Sequence, residues 1–431
     1  MFKINIEKFL IFILSGCIIF QDSITNILSL NIFNYMDECL ILIFSFYSLF
    51  HIRKKFPKII LKLIFLICGF WLCGIISGLM NSQIQVFSFL MQSFLMVKFF
   101  ILIISIILIS PNEKLINYMR QAIFFWGWIS AFTGIINFCF HSIWIKIIPY
   151  AYLYNRNGFN SVQGLFIHAG QYGWFMLFVA LLYISEFYYT KDKKSLKNAI
   201  IMTICSFLSI KAKVLGGFLV VILFIVFCMK NRAIDIKKIT IIFMGLTVFV
   251  RIFWDFLYST FSMYFTNTGD VTARFALLNG SINILKDYFP LGVGFSKFGS
   301  YYASVNYSEY YYKYNLYWVY GLKPNDVFFG TDTFWPAIMG ETGILGTLLY
   351  IIMIIIIFKF LYKGLKKENF SKNNEKIKKS QILFAILVLL QALVESLGEP
   401  IFNSSPQNIC IGISIGIAIV SILNKNNEYK R

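Results

Sequence analysis

Long apolar segments, separated by polar connections, constrain this chain more than any other feature. There are twelve, at 6–24, 36–52, 59–80, 86–109, 119–140, 163–189, 198–210, 214–230, 239–257, 336–360, 381–397 and 407–424. A helix needs about 20 apolar residues to cross a bilayer, and in lipid a helix satisfies its own backbone hydrogen bonds. We therefore expect an all-α polytopic integral membrane protein with about twelve transmembrane helices. The short segments 198–210 and 214–230 could instead form one long broken helix.

The lysines and arginines predict the orientation of these helices. Short basic connections stay in the cytoplasm, and most of the 39 lysines and arginines lie in both termini and in alternate connections. Both termini are therefore predicted to be cytoplasmic. The connections 141–162 and 211–213 and the long polar segment 258–335 are predicted to be outside. The chain then divides into helices 1–9 (1–257), one large extracytoplasmic loop between helices 9 and 10 (258–335), and helices 10–12 with a cytoplasmic tail (336–431).

The net charge of +19 does not indicate a nucleic-acid partner, because the basic residues are spread over short connections rather than gathered in a patch. The N-terminal sequence M-F-K-I-N-I-E-K-F-L lacks a small-residue cleavage site, so we expect a retained first helix. The bias toward Ile, Phe, Lys and Asn is typical of an AT-rich bacterial genome. These features together predict the cytoplasmic (inner) membrane of a bacterium.

Four basic residues lie on the predicted outer side, where insertion does not favour them. They are Arg156, Lys211, Lys213 and Arg274. Each one alone could be an exposed charge, a lipid-headgroup contact or a salt bridge, but as a set they favour an anion-binding cluster. Glu395 and Glu399, one helical turn apart, could balance that cluster. Lys98, deep in the fourth segment, could pair with a carboxylate.

Several common catalytic motifs are absent. The sequence has no G-x-x-x-x-G-K-[ST], H-E-x-x-H, G-x-S-x-G or D-x-D element, it has three histidines, and its eight cysteines lack metal-site spacing. We therefore expect neither a cofactor nor a metal ion. A sugar already activated as a lipid diphosphate would suit such a chain, because arginine and lysine alone can stabilise a pyrophosphate leaving group.

Four motifs between residues 155 and 346 carry a family resemblance. They are N-R-N-G-F-N-S-V-Q-G-L-F-I-H-A-G-Q-Y-G-W-F (155–175), S-I-K-A-K-V-L-G-G-F (209–218), T-A-R-F (272–275) with Y-F-P-L-G-V-G-F (288–295), and D-T-F-W-P-A-I-M-G-E-T-G-I-L-G (332–346). The sequence resembles the bacterial O-antigen polymerase (Wzy-type) and O-antigen ligase superfamily. That family has proline in place of Ala169 and arginine in the second motif. Its ligases have histidine in place of Asp332, which favours a polymerase here.

The resemblance implies a metal-independent membrane glycosyltransferase. It would move a growing glycan from a polyprenyl diphosphate onto a lipid-linked repeat unit at the outer face of the membrane, making O-antigen or capsular polysaccharide. The implied partners are polyprenyl-diphosphate-linked oligosaccharides, membrane lipids, a chain-length regulator and a flippase. An O-antigen ligase is the alternative within the superfamily. A polysaccharide flippase or transporter is the alternative of another class, although no internal repeat of the kind common in transporters is apparent.

Arg274, Asp332 and Glu341 are the candidate catalytic residues. Arg274 opens a predicted helix capped by Asp270 or Thr272, where free N–H groups favour phosphate, and the resemblance implies the same role. Asp332 could be a general base or a helix cap. Glu341 is an ionisable group inside a predicted span, and such groups usually indicate a functional site. The alternative is that it pairs with a nearby lysine or arginine. Phe275, Leu278, Ile282 and Leu285 predict that the Arg274 helix lies against the membrane interface.

The candidate substrate-binding residues are basic or aromatic. They are Arg156, His168, Lys211, Lys213, Tyr301, Tyr302, Trp318 and Trp335. Aromatic rings with a polar edge suit sugars, but they also collect at membrane interfaces. For His168, a role as an ordinary core histidine stays open.

Overall fold

The computed structural model describes residues 6–52, 56–81, 85–152, 155–156, 159–228, 258, 262, 271–366 and 373–428. The predicted ninth span, 239–257, and the candidate cap Asp270 lie outside these residues.

Helices make up about three-quarters of the described chain. They are α1 (Ile6–Ile19), α2 (Gln21–Leu28), α3 (Met36–Leu49), α4 (Lys58–Asn81), α5 (Val86–Ile109), α6 (Glu113–Cys139), α7 (His141–Ile147), α8 (Ala169–Thr190), α9 (Lys193–Phe207), α10 (Ala212–Cys228), α11 (Ala273–Asp287), α12 (Tyr301–Val305), α13 (Glu309–Lys313), α14 (Trp335–Lys366), α15 (Asn373–Glu395) and α16 (Gln407–Glu428). Two 3₁₀ helices cover Asn31–Tyr35 and Leu316–Trp318, and β1 (Asn155–Arg156) pairs antiparallel with β2 (Phe159–Asn160).

Eight helices in the described ranges are long and apolar enough to cross a membrane. They are Ile32–Leu49, which includes α3, together with α4, α5, α6, α8, α14, the part of α15 from Glu375, and the part of α16 up to Asn424. The bent pair α1–α2 would be a ninth if it is one span. The helical, polytopic membrane class predicted from the sequence is therefore confirmed, whereas the count of twelve stays a prediction.

Four predicted spans differ from the helices observed. Span 6–24 is divided into α1 and α2, which meet at 77°, because α2 turns polar side chains inward: Ser23 Oγ donates to the Leu165 carbonyl at 2.6 Å. Span 163–189 starts only at Ala169, since the backbone N–H groups of Gln163 and Gly164 donate to Asn137 Oδ1 at 3.0 and 3.2 Å. Segments 198–210 and 214–230 correspond to two separate helices, α9 and α10, and the described part of each is shorter than a span.

Helix α8 lies at the centre of the bundle. It packs against α6, α9, α10 and α15, while α16 packs between α5 and α15, and α14 packs against α4. Almost all of α8 from Ala169 to Tyr183 is buried. A helix that is apolar all round belongs in the interior of a bundle, which explains why this segment has no polar face.

The described part of the polar segment, 271–334, folds over one end of the bundle with a small core of its own. Leu277, Phe298, Tyr311 and Leu316 are among its buried residues. Helix α11 begins as predicted, with Thr272 Oγ1 accepting from the Phe275 N–H at 3.4 Å. Its buried face is Ala273, Ala276, Leu277, Gly280, Ser281 and Ile284. The predicted apolar stripe is half-buried or exposed instead, and its contact with the membrane stays a prediction.

A backbone junction joins the loop 290–294 to α14. Helix α14 is interrupted at Gly343, which has φ 66° and ψ −165°. Beside this interruption, the Val293 N–H donates to the Gly340 carbonyl at 2.9 Å, and the Gly294 N–H donates to the Glu341 carbonyl at 2.9 Å. The Ile344 N–H donates in return to the Pro290 carbonyl at 3.1 Å. The loop thus satisfies backbone groups that a broken helix would leave unpaired in an apolar interior.

The glycines of the junction are required by close backbone approach. A Cβ on Gly292 would lie 2.2 Å from the Gly340 carbonyl oxygen, and a Cβ on Gly343 would lie 2.3 Å from the Leu291 carbonyl carbon. The end of α4 completes the contact, because the Gly292 N–H donates to Ser77 Oγ and its carbonyl accepts from Asn81 Nδ2, both at 3.1 Å.

We predict that Gly292→Ala destabilises the folded protein by about 2 kcal/mol or more, because its Cβ would collide with backbone rather than with a flexible side chain. Thermal unfolding of the purified protein in detergent measures this. Gly69→Ala in α4 is the matched control, since its Cβ would lie 3.4 Å from the Leu349 side chain, and it should unfold like the wild type. Equal stability of the two variants would contradict the close backbone approach at Gly292.

Candidate functional site

Five of the predicted site residues converge where the polar segment meets the bundle. We call them the charged cluster: His168, Lys211, Lys213, Arg274 and Asp332. Arg274 Nη2 lies 2.8 Å from Asp332 Oδ2. Asp332 also interacts electrostatically with Lys213 and His168, and His168 interacts with Lys211. Four separate parts of the chain therefore supply one site.

Helix ends position each member of the cluster. His168 directly precedes α8, Lys213 lies in the first turn of α10, Arg274 lies in the first turn of α11, and Asp332 lies three residues before α14. The start of an α-helix carries free N–H groups and a partial positive charge. Several helix starts lie together with the lysine and arginine side chains of the cluster. This environment is suited to anions.

Lys213 is held between α8 and the end of α15. It forms an ion pair with Glu399 and interacts with the buried Glu395. Its Nζ lies against α8 at Gly170, where a Cβ added to the glycine would be only 3.0 Å from Lys213 Nζ. The predicted balancing of the basic residues by Glu395 and Glu399 is confirmed for Lys213.

The surroundings shift the pKa values of both proton-accepting groups of the cluster, Asp332 and His168. Burial raises the pKa of the Asp332 carboxyl above its ordinary 3.8, although Arg274 and Lys213 oppose the shift. Burial also lowers the pKa of His168 below its ordinary 6.5, and Lys211 and Lys213 lower it further. His168 is therefore neutral at pH 7, with Nδ1 3.3 Å from the Tyr152 hydroxyl. The cluster thus offers two proton acceptors beside three cations.

Glu341 lies apart from the contacts of the charged cluster. It is fully buried, and its Oε1 accepts from the Lys297 and Phe298 N–H groups at 2.9 and 3.2 Å and from Ser300 Oγ at 2.5 Å. These bonds hold the turn 297–300 against α14. They give Glu341 a positioning role in the structure, and the predicted catalytic role has no geometric support from them.

The predicted aromatic residues occupy three different places. Trp335 Nε1 donates to Ser396 Oγ at 2.9 Å, which ties the start of α14 to the end of α15 beside the charged cluster. Tyr301 and Tyr302, on α12, line a separate cavity. Trp318 is 72% exposed on the polar segment, with its ring 4.8 Å from that of Tyr317.

Arg156 lies in β1, where it pairs through its backbone with Phe159. The position of its side chain lies outside the described part of the structure. Within the described ranges, no group of three or more His, Cys, Asp or Glu side chains is placed to hold a metal ion.

No protein-family model matches this sequence, and no curated protein matches it. Function therefore has to be inferred from the side chains themselves.

Sequence reasoning predicted that Lys98 could pair with a carboxylate but missed its partners, Asp37 and Glu38, which form a second buried charge group with it. An acidic pair at the start of an apolar segment was the available signal, because such charges are rare in membrane helices.

We predict that the cluster binds sulfate several-fold more tightly at pH 5.5 than at pH 7.5. His168 gains a proton and Asp332 loses charge as the pH falls, whereas the charge of sulfate is constant over this range. Calorimetric titration of the purified protein measures the affinity. His168→Gln should reduce the gain, and His51→Gln, at the far end of α3, should keep it. An unchanged pH dependence in His168→Gln would exclude His168 from the site.

Proposed function

We propose that this protein is a polysaccharide polymerase, a membrane glycosyltransferase that moves a glycan from a polyprenyl diphosphate onto a lipid-linked repeat unit. The observation that carries the proposal is the convergence of His168, Lys213, Arg274 and Asp332 at one end of an apolar helix bundle. Proton acceptors and phosphate-binding cations are the two kinds of group that such a transfer needs when no metal takes part. The end of a membrane bundle is also where the headgroup of a lipid diphosphate would lie.

Binding of the donor is assigned to Lys211, Lys213 and Arg274. Guanidinium and ammonium groups form charge-assisted hydrogen bonds with phosphate oxygens, and arginine can bind two oxygens at once. Arg274 adds this fork to the free N–H groups at the start of α11. The polyprenyl chain would extend into the bilayer beside the bundle.

The ion pair between Arg274 and Asp332 would link binding of the donor to the basicity of Asp332. A bound diphosphate would attract the Arg274 guanidinium away from Asp332. Asp332 would then lose its nearest counterion. Loss of a positive neighbour raises the pKa of a carboxyl further. Asp332 would thus become a stronger base when the donor is bound.

The transfer itself needs one bond to form and one to break. The acceptor hydroxyl oxygen forms a bond with the anomeric carbon as its proton passes to Asp332. The bond between the anomeric carbon and the phosphate oxygen breaks, and its electron pair stays on the diphosphate. Lys213 and Arg274 stabilise the charge that develops on that leaving group.

We place the charged cluster on the outer face of the cytoplasmic membrane. Support comes from the other ends of the helices, where Lys114 pairs with Glu7 at 2.7 Å and Lys378 pairs with Glu113 at 2.9 Å. Basic residues gather in those connections, as expected of a cytoplasmic side.

For this orientation we predict that a cysteine at Lys286, an exposed position on α11, reacts with a membrane-impermeant maleimide in intact cells. A cysteine at Lys193, an exposed position at the start of α9, should react only after lysis. A parent protein without its native cysteines provides the background. The reverse labelling pattern would place the cluster in the cytoplasm.

For the activity we predict that Arg274→Ala reduces the surface polysaccharide of a complemented deletion strain to single repeat units, as seen by gel electrophoresis. Lys286→Ala removes a cation from the other end of the same helix and should leave the chains at full length. Equal amounts of both variants in the membrane make the comparison valid. Full-length polymer from Arg274→Ala would contradict the assignment.

The deletion strain itself separates the alternative functions. Single attached repeats indicate a polymerase, and long polymer left on its lipid carrier indicates a ligase. Repeat units trapped on the cytoplasmic side indicate a flippase.

A further inference from the structure

A second polar site lies inside the bundle, apart from the charged cluster. Lys98, in the middle of α5, is 1% exposed. Its Nζ lies 2.6 Å from Asp37 Oδ2 and 2.5 Å from Glu38 Oε1, both on α3. Ionisable side chains within membrane helices are costly, and they usually mark a functional site.

Asp37 and Glu38 differ in how much of their hydrogen-bonding capacity is used. Asp37 pairs with Lys98, and it also accepts from Asn408 Nδ2 at 3.1 Å and from Gln21 Nε2 at 3.4 Å. Glu38 contacts Lys98 through Oε1. Its Oε2 is buried, and within the described ranges it has no hydrogen-bond partner.

A cavity of about 330 Å³ opens beside this group. Glu38, Lys98 and Gln92 lie in its wall, and the aromatic side chains Tyr301 and Tyr302 form another part of it. Gln92 is 2% exposed, and its Oε1 is a second buried acceptor with no partner among the described residues. Small-molecule sites typically measure about 300–1,000 Å³, so this space admits a small ligand.

The chemistry of the wall selects the class of ligand. Two carboxyl groups contact the one buried cation, so the site disfavours phosphate. Its buried oxygens without a partner among the described residues are Glu38 Oε2, Gln92 Oε1 and Thr333 Oγ1, all of which can accept hydrogen bonds from a ligand rich in donors. Flat tyrosine rings suit the C–H faces of a sugar and its polar rim. A sugar ring with several hydroxyl groups meets all of these conditions.

One short segment separates the cavity from the charged cluster. Thr331 and Thr333 line the cavity, while Asp332 between them pairs with Arg274. A sugar bound in the cavity would thus be separated from the candidate general base, Asp332, only by the short segment 331–333.

We propose that this cavity is a carbohydrate subsite in which Glu38 and Gln92 accept hydrogen bonds from the hydroxyl groups of one sugar ring of the acceptor. The assignment to the acceptor rests on the proposed function, whereas sugar binding does not. The cavity would then select the glycan, and the charged cluster would bind the diphosphate of the donor.

The test uses the full-length protein in detergent and short oligosaccharides made by partial acid hydrolysis of the host's own surface polysaccharide. Calorimetry and saturation-transfer NMR measure their binding. Glu38→Gln should weaken binding about tenfold, the scale of one hydrogen bond to a charged group, and Gln92→Leu should weaken it about fivefold, the scale of one neutral hydrogen bond. Glu7→Gln, which changes an exposed carboxylate at the end of α1, should bind normally.

Sulfate affinity and thermal unfolding, measured on the same samples, separate the possible failures. Glu38→Gln and Gln92→Leu should keep the sulfate affinity of the charged cluster, and Arg274→Ala should lose it while keeping oligosaccharide binding. Gln92→Leu keeps the test valid if Glu38→Gln does not fold. Oligosaccharide binding that is absent in the wild type, or unchanged in both cavity variants, would overturn the subsite. Full-length polymer from Arg274→Ala would overturn the proposed function and leave the subsite standing.

Discussion

The backbone junction at the interruption of α14 is the contact on which the charged cluster depends. Helix α11 carries Arg274 and leads directly into the loop 290–294, which is hydrogen-bonded to α14 around Gly343. Helix α14 begins at Trp335, three residues after Asp332. The junction therefore fixes the two supports of the Arg274–Asp332 ion pair relative to each other. Without it, the two charges would belong to independently moving parts of the polar segment.

The sequence predicted the regular elements well and the contacts between them poorly. Helix α5 has the predicted bounds because 86–109 is predominantly apolar and contains neither glycine nor proline. The division between α1 and α2 was missed, since it depends on a partner far along the chain, the Leu165 carbonyl that accepts from Ser23. The glycines near 292 and 343 belong to two separate motifs of the sequence. Their mutual contact joins segments about fifty residues apart, which no local pattern reveals.

The sequence predicted which charged residues lie close together where charge alone was informative. Basic residues on the unfavoured side of the membrane led to Lys213 and Arg274, and the need for counterions led to Glu399. Glu341 shows the limit of this reasoning, because burial in a span indicated importance but not its kind, and the carboxylate binds the turn 297–300. The group around Lys98 was noticed only as a pairing, since the cavity beside it depends on residues from five helices and three loops.

The ion pairs of the charged cluster have a consequence for ligand selection. Lys213 and Arg274 are each already matched by a carboxylate, Glu399 and Asp332. A small anion of single charge could replace only one of these carboxylates and would leave the other pair intact. Two linked phosphates could replace both at once, and confinement to the membrane raises their effective concentration. The resting protein would thus ignore free monovalent anions and respond to a tethered, multivalent ligand.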